Sequence, residues 1–138
     1  GGEMVAECPP GYVQRGGTSD CYLFHSGSKR TWYDATSYCT KQNGNLVRIE
    51  TPDLTGWLSL QIVESGIVSD SSEFWIDARY NDTAEIWYWA SNGHVVDLNY
   101  IPEDKRPREG DFGVLTTDST LLGHHESAQY HFICHRLI

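Results

Sequence analysis

Near the midpoint of the chain stands Phe74-Trp75-Ile76-Asp77-Ala78, and this short run of large apolar residues limits the fold more than any other stretch. Aromatic and β-branched residues in a short run, with turn-formers on both sides, read as a buried strand. Two helix-like segments precede it, and a long tract rich in Trp, Tyr, Asn, Gly and Pro follows. The plan is a helical first half and a loop-rich second half hung on one central strand. The 138 residues make one domain. Five Trp, eight Tyr and four Phe supply large units to pack it.

Four cysteines, an even number in an acidic chain, fit a secreted, extracellular protein with two disulfides, and four allow three pairings. Asn81-Asp82-Thr83 is an N-glycosylation acceptor pattern, consistent with the same compartment. No signal segment is present, so the chain reads as mature. No apolar run is long enough to insert into a membrane. The net charge of −9 argues against a nucleic-acid partner, because phosphate-backbone binding depends on Lys and Arg.

Residues 1–7 read as a flexible leader of small residues and 8–138 as the folded domain. Gly16-Gly17 and Ser19-Asp20 form a turn, after which Cys21-Tyr22-Leu23-Phe24 returns as a strand. A helix begins at Thr31, which can cap it with Asp34 in the acidic position of a capping box. Trp32, Ala35, Tyr38 and Cys39 share its inner face, and Asn43-Gly44 stop it. Leu46-Val47-Arg48-Ile49 is a short strand. Thr51-Pro52-Asp53 signals a second helix, with Thr51 as cap, Pro52 in the first turn and Leu54, Trp57, Leu58 and Ile62 buried. A Ser-rich turn leads to the central strand. Ile86-Trp87-Tyr88-Trp89 is a further strand and Ser91-Asn92-Gly93 a tight turn. Residues 97–111 are irregular, Phe112-Gly113-Val114-Leu115 is a strand, 118–127 is a loop, and the last strand is Tyr130 to Cys134. Long loops in a compact domain are more often functional than decorative.

This order of elements resembles the C-type lectin-like domain. Cys8-Pro9-Pro10-Gly11-Tyr12 followed by Cys21-Tyr22 looks like the amino-terminal hairpin of the family's long form. Trp32-Tyr33-Asp34-Ala35 leading to Cys39 resembles its first helix, and Asn43-Gly44-Asn45-Leu46-Val47 its Gly-Gly-x-Leu turn. Phe74 to Ala78 stands where the family carries Trp-Ile-Gly-Leu. Trp87 to Gly93 is similar to Trp-x-Trp-Ser-Asp-Gly, and Phe132-Ile133-Cys134 to the terminal Phe-Ile-Cys. The resemblance implies an α+β fold of two helices with antiparallel sheets and a long upper loop region. It also implies the pairing Cys8–Cys21 and Cys39–Cys134.

The departures from the pattern bear on function. The positions of the family's inner disulfide read Phe112 and Glu126. Calcium-dependent members hold Ca²⁺ through a Glu-Pro-Asn or Gln-Pro-Asp tripeptide and a Trp-Asn-Asp tripeptide. Here these align with Arg106-Pro107-Arg108 and Leu121-Leu122-Gly123. Ca²⁺ wants six to eight oxygens, whereas Arg carries only donors and stays charged. Choosing Pro102 instead gives Ile101-Pro102-Glu103, which keeps one carboxylate and still lacks the second tripeptide. The basic residue before the proline resembles atypical, calcium-independent lectins of bivalve molluscs that recognise N-acetylhexosamines, GlcNAc and GalNAc, through the acetamido group.

The expected function is therefore a Ca²⁺-independent lectin for glycans bearing N-acetylhexosamine, with no cofactor and no metal, serving agglutination or innate recognition in an invertebrate. The expected carbohydrate-binding residues are Tyr100, Arg106, Pro107, Arg108, Asp118, His124 and His125. An acetamide offers one N–H, one C=O and a methyl. Asp118 or Glu126 can accept, Arg or His can donate, and Tyr100 or His124 can cover the methyl. Such histidines would make binding sensitive to pH below about 6.5. The rival readings are a protein-binding module and a biomineral-matrix or ice-binding protein. A zinc reading of His124, His125, His131 and His135 finds no known spacing. No nucleophile, phosphate-loop or metalloprotease motif is present, so an enzyme is not expected. Agglutination needs more than one site per particle, which points to a homo- or heterodimer.

Overall fold

The computed structural model describes residues 7–66 and 73–138. The expected leader lies almost wholly outside them, as does the Ser-rich turn before the central strand. In chain order the elements are β1 (Val13–Gln14), β2 (Asp20–Arg30), α1 (Trp32–Lys41), β3 (Asn45–Leu46), α2 (Leu54–Glu64), β4 (Glu73–Asn81), β5 (Ile86–Trp89), β6 (Phe112–Thr116), β7 (Leu121–His124) and β8 (Tyr130–Leu137). The sheet runs β1-β2-β8-β4-β6-β7, with β3 joined to β8 and β5 to β4.

β4 is the centre of this arrangement. Phe74 to Ala78 are all buried because the strand is covered on both faces. Phe74, Ile76 and Ala78 alternate into a core with Leu54, Leu58 and Ile62 of α2. Trp75 faces the other way, into a core with Trp32, Ala35 and Cys39 of α1. Two buried indole N–H groups find backbone acceptors, Trp32 Nε1 on Ile76 O at 2.9 Å and Trp75 Nε1 on Arg30 O at 2.7 Å. Trp87 and Trp89 are buried core residues.

Thr31 caps α1, its hydroxyl accepting from Asp34 N at 3.3 Å. After α1 the left-handed position falls on Asn43, with φ 64°. Gly44 is needed for a different reason: a Cβ there would overlap the His135 carbonyl oxygen. The disulfides are Cys8–Cys21 and Cys39–Cys134, the second tying α1 to β8 across 95 residues.

Four expectations need correction. The sheet is mixed, because β4 pairs in parallel with β8 through Phe74↔His131 and Trp75↔Phe132. α2 starts at Leu54, not at the Thr51 cap. Residues 51–53 make a preceding turn, and Asp53 Oδ2 accepts from Arg15 Nη2 at 2.6 Å instead of capping the helix. The strand expected over 46–49 is only Asn45–Leu46, although Val47 still bonds Ile133 and Asp77. The loop expected over 118–127 contains β7, paired antiparallel with β6. Residues 97–111 are irregular apart from two 3₁₀ turns, Leu98–Tyr100 and Glu103–Lys105. Among the described residues no helix is long and apolar enough to cross a membrane.

Candidate functional site

The segment carrying Arg106-Pro107-Arg108 is clamped onto the sheet at its far end. Tyr80 N donates to Asp111 O at 2.8 Å, and Asp111 N donates to His124 O at 3.1 Å. Gly123 permits the crossing, since a Cβ there would overlap the Glu109 carbonyl oxygen. Pro107 lines a crevice of about 10 Å³ with Trp87, Val96, Ile101 and Leu121, room for about one water at most. The segment is thus packed close to the core. It closes one wall of a hollow of about 390 Å³ that brings Pro107 and Arg108 together with Tyr80, Asp82, Trp87 and Asp111.

Of the expected binding residues, Pro107 and Arg108 line this hollow, and the others are distributed elsewhere. Arg106 points its Nε to Ile101 O at 2.8 Å, closing its own loop. Tyr100 and Asp118 meet in a separate trough of about 300 Å³ with Pro52, Thr55 and Lys105. The Asp118 carboxylate accepts from the Thr116 hydroxyl and from Thr120 N, and these bonds hold its pKa down to about 2. It builds the β6–β7 turn. His124 lies on β7, with Nε2 2.8 Å from Glu73 Oε1 and Nδ1 3.2 Å from the Tyr130 hydroxyl. A carboxylate only accepts, so Nε2 carries a proton. Exposed His125 bonds Ser127, with Nδ1 3.1 Å from Oγ. Neither histidine lines the hollow.

A second hollow of about 450 Å³ adjoins the first and shares Tyr80, Asp82 and Asp111 with it. Tyr33, Arg79, Asn81, Tyr88, Phe112 and Glu126 are among the residues that complete its lining. Only Glu126 was expected near a ligand. β4 brings the rest together, placing Arg79 opposite Tyr88 on β5 and Phe112 on β6. The Arg79 guanidinium lies within 6.0 Å of the Trp32, Tyr33 and Phe112 ring centres, and its Nη2 donates to the Tyr33 hydroxyl at 3.1 Å. Tyr33 and Arg79 lie 46 residues apart, and only the sheet shows that they meet. The acceptor tripeptide at Asn81, itself in the lining, was a further local signal for this surface.

The aligned calcium tripeptides do not fit the ion. Arg106 and Arg108 offer donors only. Leu121 is buried in the core, and Leu122 and Gly123 carry no side-chain oxygen. Nor do the histidines converge. His135 Nε2 lies 2.7 Å from Asp20 Oδ1, and buried His131 Nδ1 has no hydrogen-bond partner. No group of three or more His, Cys, Asp or Glu among the described residues is placed to hold a metal ion.

Known proteins share both sequence and fold with this chain. One polypeptide of the snaclec agkisacutacin from Deinagkistrodon acutus is 30% identical over 106 residues, covering 74% of this chain and 67% of that protein. Natural killer cells antigen CD94 of Rattus norvegicus is 26% identical over 89 residues, 64% of this chain and 44% of that protein. The chain therefore spans less than half the length of that relative. Human lithostathine superposes with a TM-score of 0.76 at 24% identity, over 100% of this chain and 99% of that one. SPL-1, solved as a GlcNAc complex, gives 0.75 at 19% identity over 94% and 95% of the chains. SPL-2, a Ca²⁺-independent C-type lectin from Saxidomus purpuratus, gives 0.74 at 22% over 94% and 93%. At these identities the likeness is one of fold. The family model for the lectin C-type domain matches residues 28–136, and the chain belongs to the C-type lectin domain family.

Proposed function

We propose that residues 8–138 form a glycan-recognition domain, without catalytic activity, that binds N-acetylhexosamines directly and without Ca²⁺. One observation carries the reading. The hollow under Arg108 combines a donor, acceptors and ring surface, and its polar side chains are unspent. No protein group among the described residues bonds the Arg108 guanidinium or the Asp82 and Asp111 carboxylates. By contrast, Asp118 and His124 have their partners within the protein. An acetamide can accept from Arg108, donate to Asp82 or Asp111, and lay its methyl and ring face on Tyr80. The fold likeness to SPL-1, solved with GlcNAc, and to SPL-2, described as Ca²⁺-independent, supports the same reading.

The expected setting is extracellular, with exposed Asn81 glycosylated and a homo- or heterodimer presenting two sites for agglutination or innate recognition. Both cystine bridges are intrachain, so such a dimer would be non-covalent. The test is a glycan array probed in Ca²⁺ and in EDTA with the wild type and Arg108→Ala. Equal binding to GlcNAc or GalNAc spots in both buffers, weakened in the variant, is expected. Binding abolished by EDTA refutes the direct mechanism. Silence on every glycan refutes the lectin reading.

A further inference from the structure

We infer that the hollow under Arg108 is one half of an extended groove, with a second subsite on Tyr33, Arg79 and Tyr88, so that the preferred ligand carries at least two contiguous N-acetylhexosamine units. This rests on the glycan reading above and deepens it. The two hollows, about 390 and 450 Å³, share Tyr80, Asp82 and Asp111. Each falls in the size range of small-ligand clefts, roughly 300–1,000 Å³. A single sugar ring in one leaves the other vacant, while a linked pair spans the shared residues.

The second hollow is built for the chemistry of a sugar ring. Tyr33 is 45% exposed, yet it is fixed on three sides. It meets the Trp32 ring edge-on at 5.4 Å and the Phe112 ring at 5.3 Å, and its hydroxyl accepts from Arg79. An exposed aromatic that is already immobilised offers contact area at little entropic cost. Arg79 is a positioning residue, its guanidinium stacked among rings, and it locks Tyr33 in place. Tyr88 stands across the strand pair from Arg79. Glu126 at the rim, with Asp82 and Asp111 at the junction, supplies carboxylates to which no group among the described residues donates. They can accept from the acetamide N–H and hydroxyls of the second unit.

The experiment is calorimetric titration of the chain, purified without a glycan on Asn81 because Asn81 lines the second hollow, with GlcNAc and with its β1,4-linked di- and trisaccharide. Affinity is expected to rise by about tenfold or more from one unit to three, equivalent to about 1.4 kcal/mol. Tyr33→Ala should bring the trisaccharide-to-monosaccharide ratio near one, and Tyr88→Ala, which leaves α1 untouched, should lower the same ratio. Tyr33→Phe keeps the ring and should keep most of the gain. Arg108→Ala should weaken every member of the series. A monosaccharide that binds as tightly as the trisaccharide overturns the second subsite alone, as does a gain that survives both alanine variants. Failure of every member to bind overturns the lectin reading and the subsite together.

Discussion

Asp77 is a carboxylate in the middle of the most buried strand, only 2% exposed, where the resembling family pattern carries glycine. Its Oδ2 accepts from Ser91 N at 2.9 Å and from Ser91 Oγ at 2.5 Å. Burial outweighs these bonds and the attraction of Arg48, raising its pKa from 3.8 to about 6. A folded-state pKa above the unfolded value makes a contribution that is fully present below about pH 4 and lost as pH rises through about 6. At about 1.4 kcal/mol per unit, ionised Asp77 costs the fold about 3 kcal/mol at neutral pH. An amide oxygen can keep both Ser91 bonds and does not titrate. Asp77→Asn should therefore stabilise the protein at about pH 7.5 relative to its effect at about pH 4 by about 2.5 kcal/mol. Any fixed packing or hydrogen-bonding cost of the amide enters at both pH values and cancels in that difference. Urea unfolding with disulfides intact, for wild type and variant across this range, measures it. Parallel stability–pH curves would refute a raised carboxyl at position 77.

Removing the Cys39–Cys134 bridge with serine at both positions should cost about 4–5 kcal/mol in the chain-entropy model, measured by the same unfolding. Gly123→Ala should push Glu109 off β7 and displace the segment carrying Arg108. GlcNAc binding should then fall by about tenfold or more, more than the change in melting temperature accounts for. Burial lowers the pKa of both His25 and His131, and neither buried Nδ1 has a hydrogen-bond partner. The unfolded chain therefore binds more protons just below pH 6.5, and stability should fall as pH drops through that region. His25→Phe, which can preserve the 4.3 Å stack on Phe132, should flatten part of that acid limb in a melting-temperature profile. In cells that glycosylate, an Asn81→Gln chain should be lighter than wild type by one glycan in mass spectrometry.

Elements marked by local chemistry were legible in order. Thr31 caps α1 because its hydroxyl needs only Asp34 N, three residues on. β4 was legible because burial on both faces forces a continuous apolar run, whatever partner covers it. β7 was not, since Leu121-Leu122-Gly123-His124 is short, contains glycine and becomes a strand only by pairing with β6. The start of α2 was misplaced because residues 51–53 close a turn of their own, with Leu54 N bonded to Thr51 O, before the helix proper begins. Within the candidate site, Pro107 and Arg108 were visible from the motif register. Asp118 and His124 had the right chemistry, but residue type does not reveal that Thr116 and Glu73 already occupy them.

The sequence by itself determined the two helices, the central strand and the residue types at the aligned tripeptides Arg106-Pro107-Arg108 and Leu121-Leu122-Gly123, because each depends on residue type at short spacing. Tertiary structure decided which polar groups remain free. Hydrogen-bond partners are shared out in three dimensions, and β4 brings Tyr33, Arg79, Tyr88 and Asp111 to one groove from separate parts of the chain.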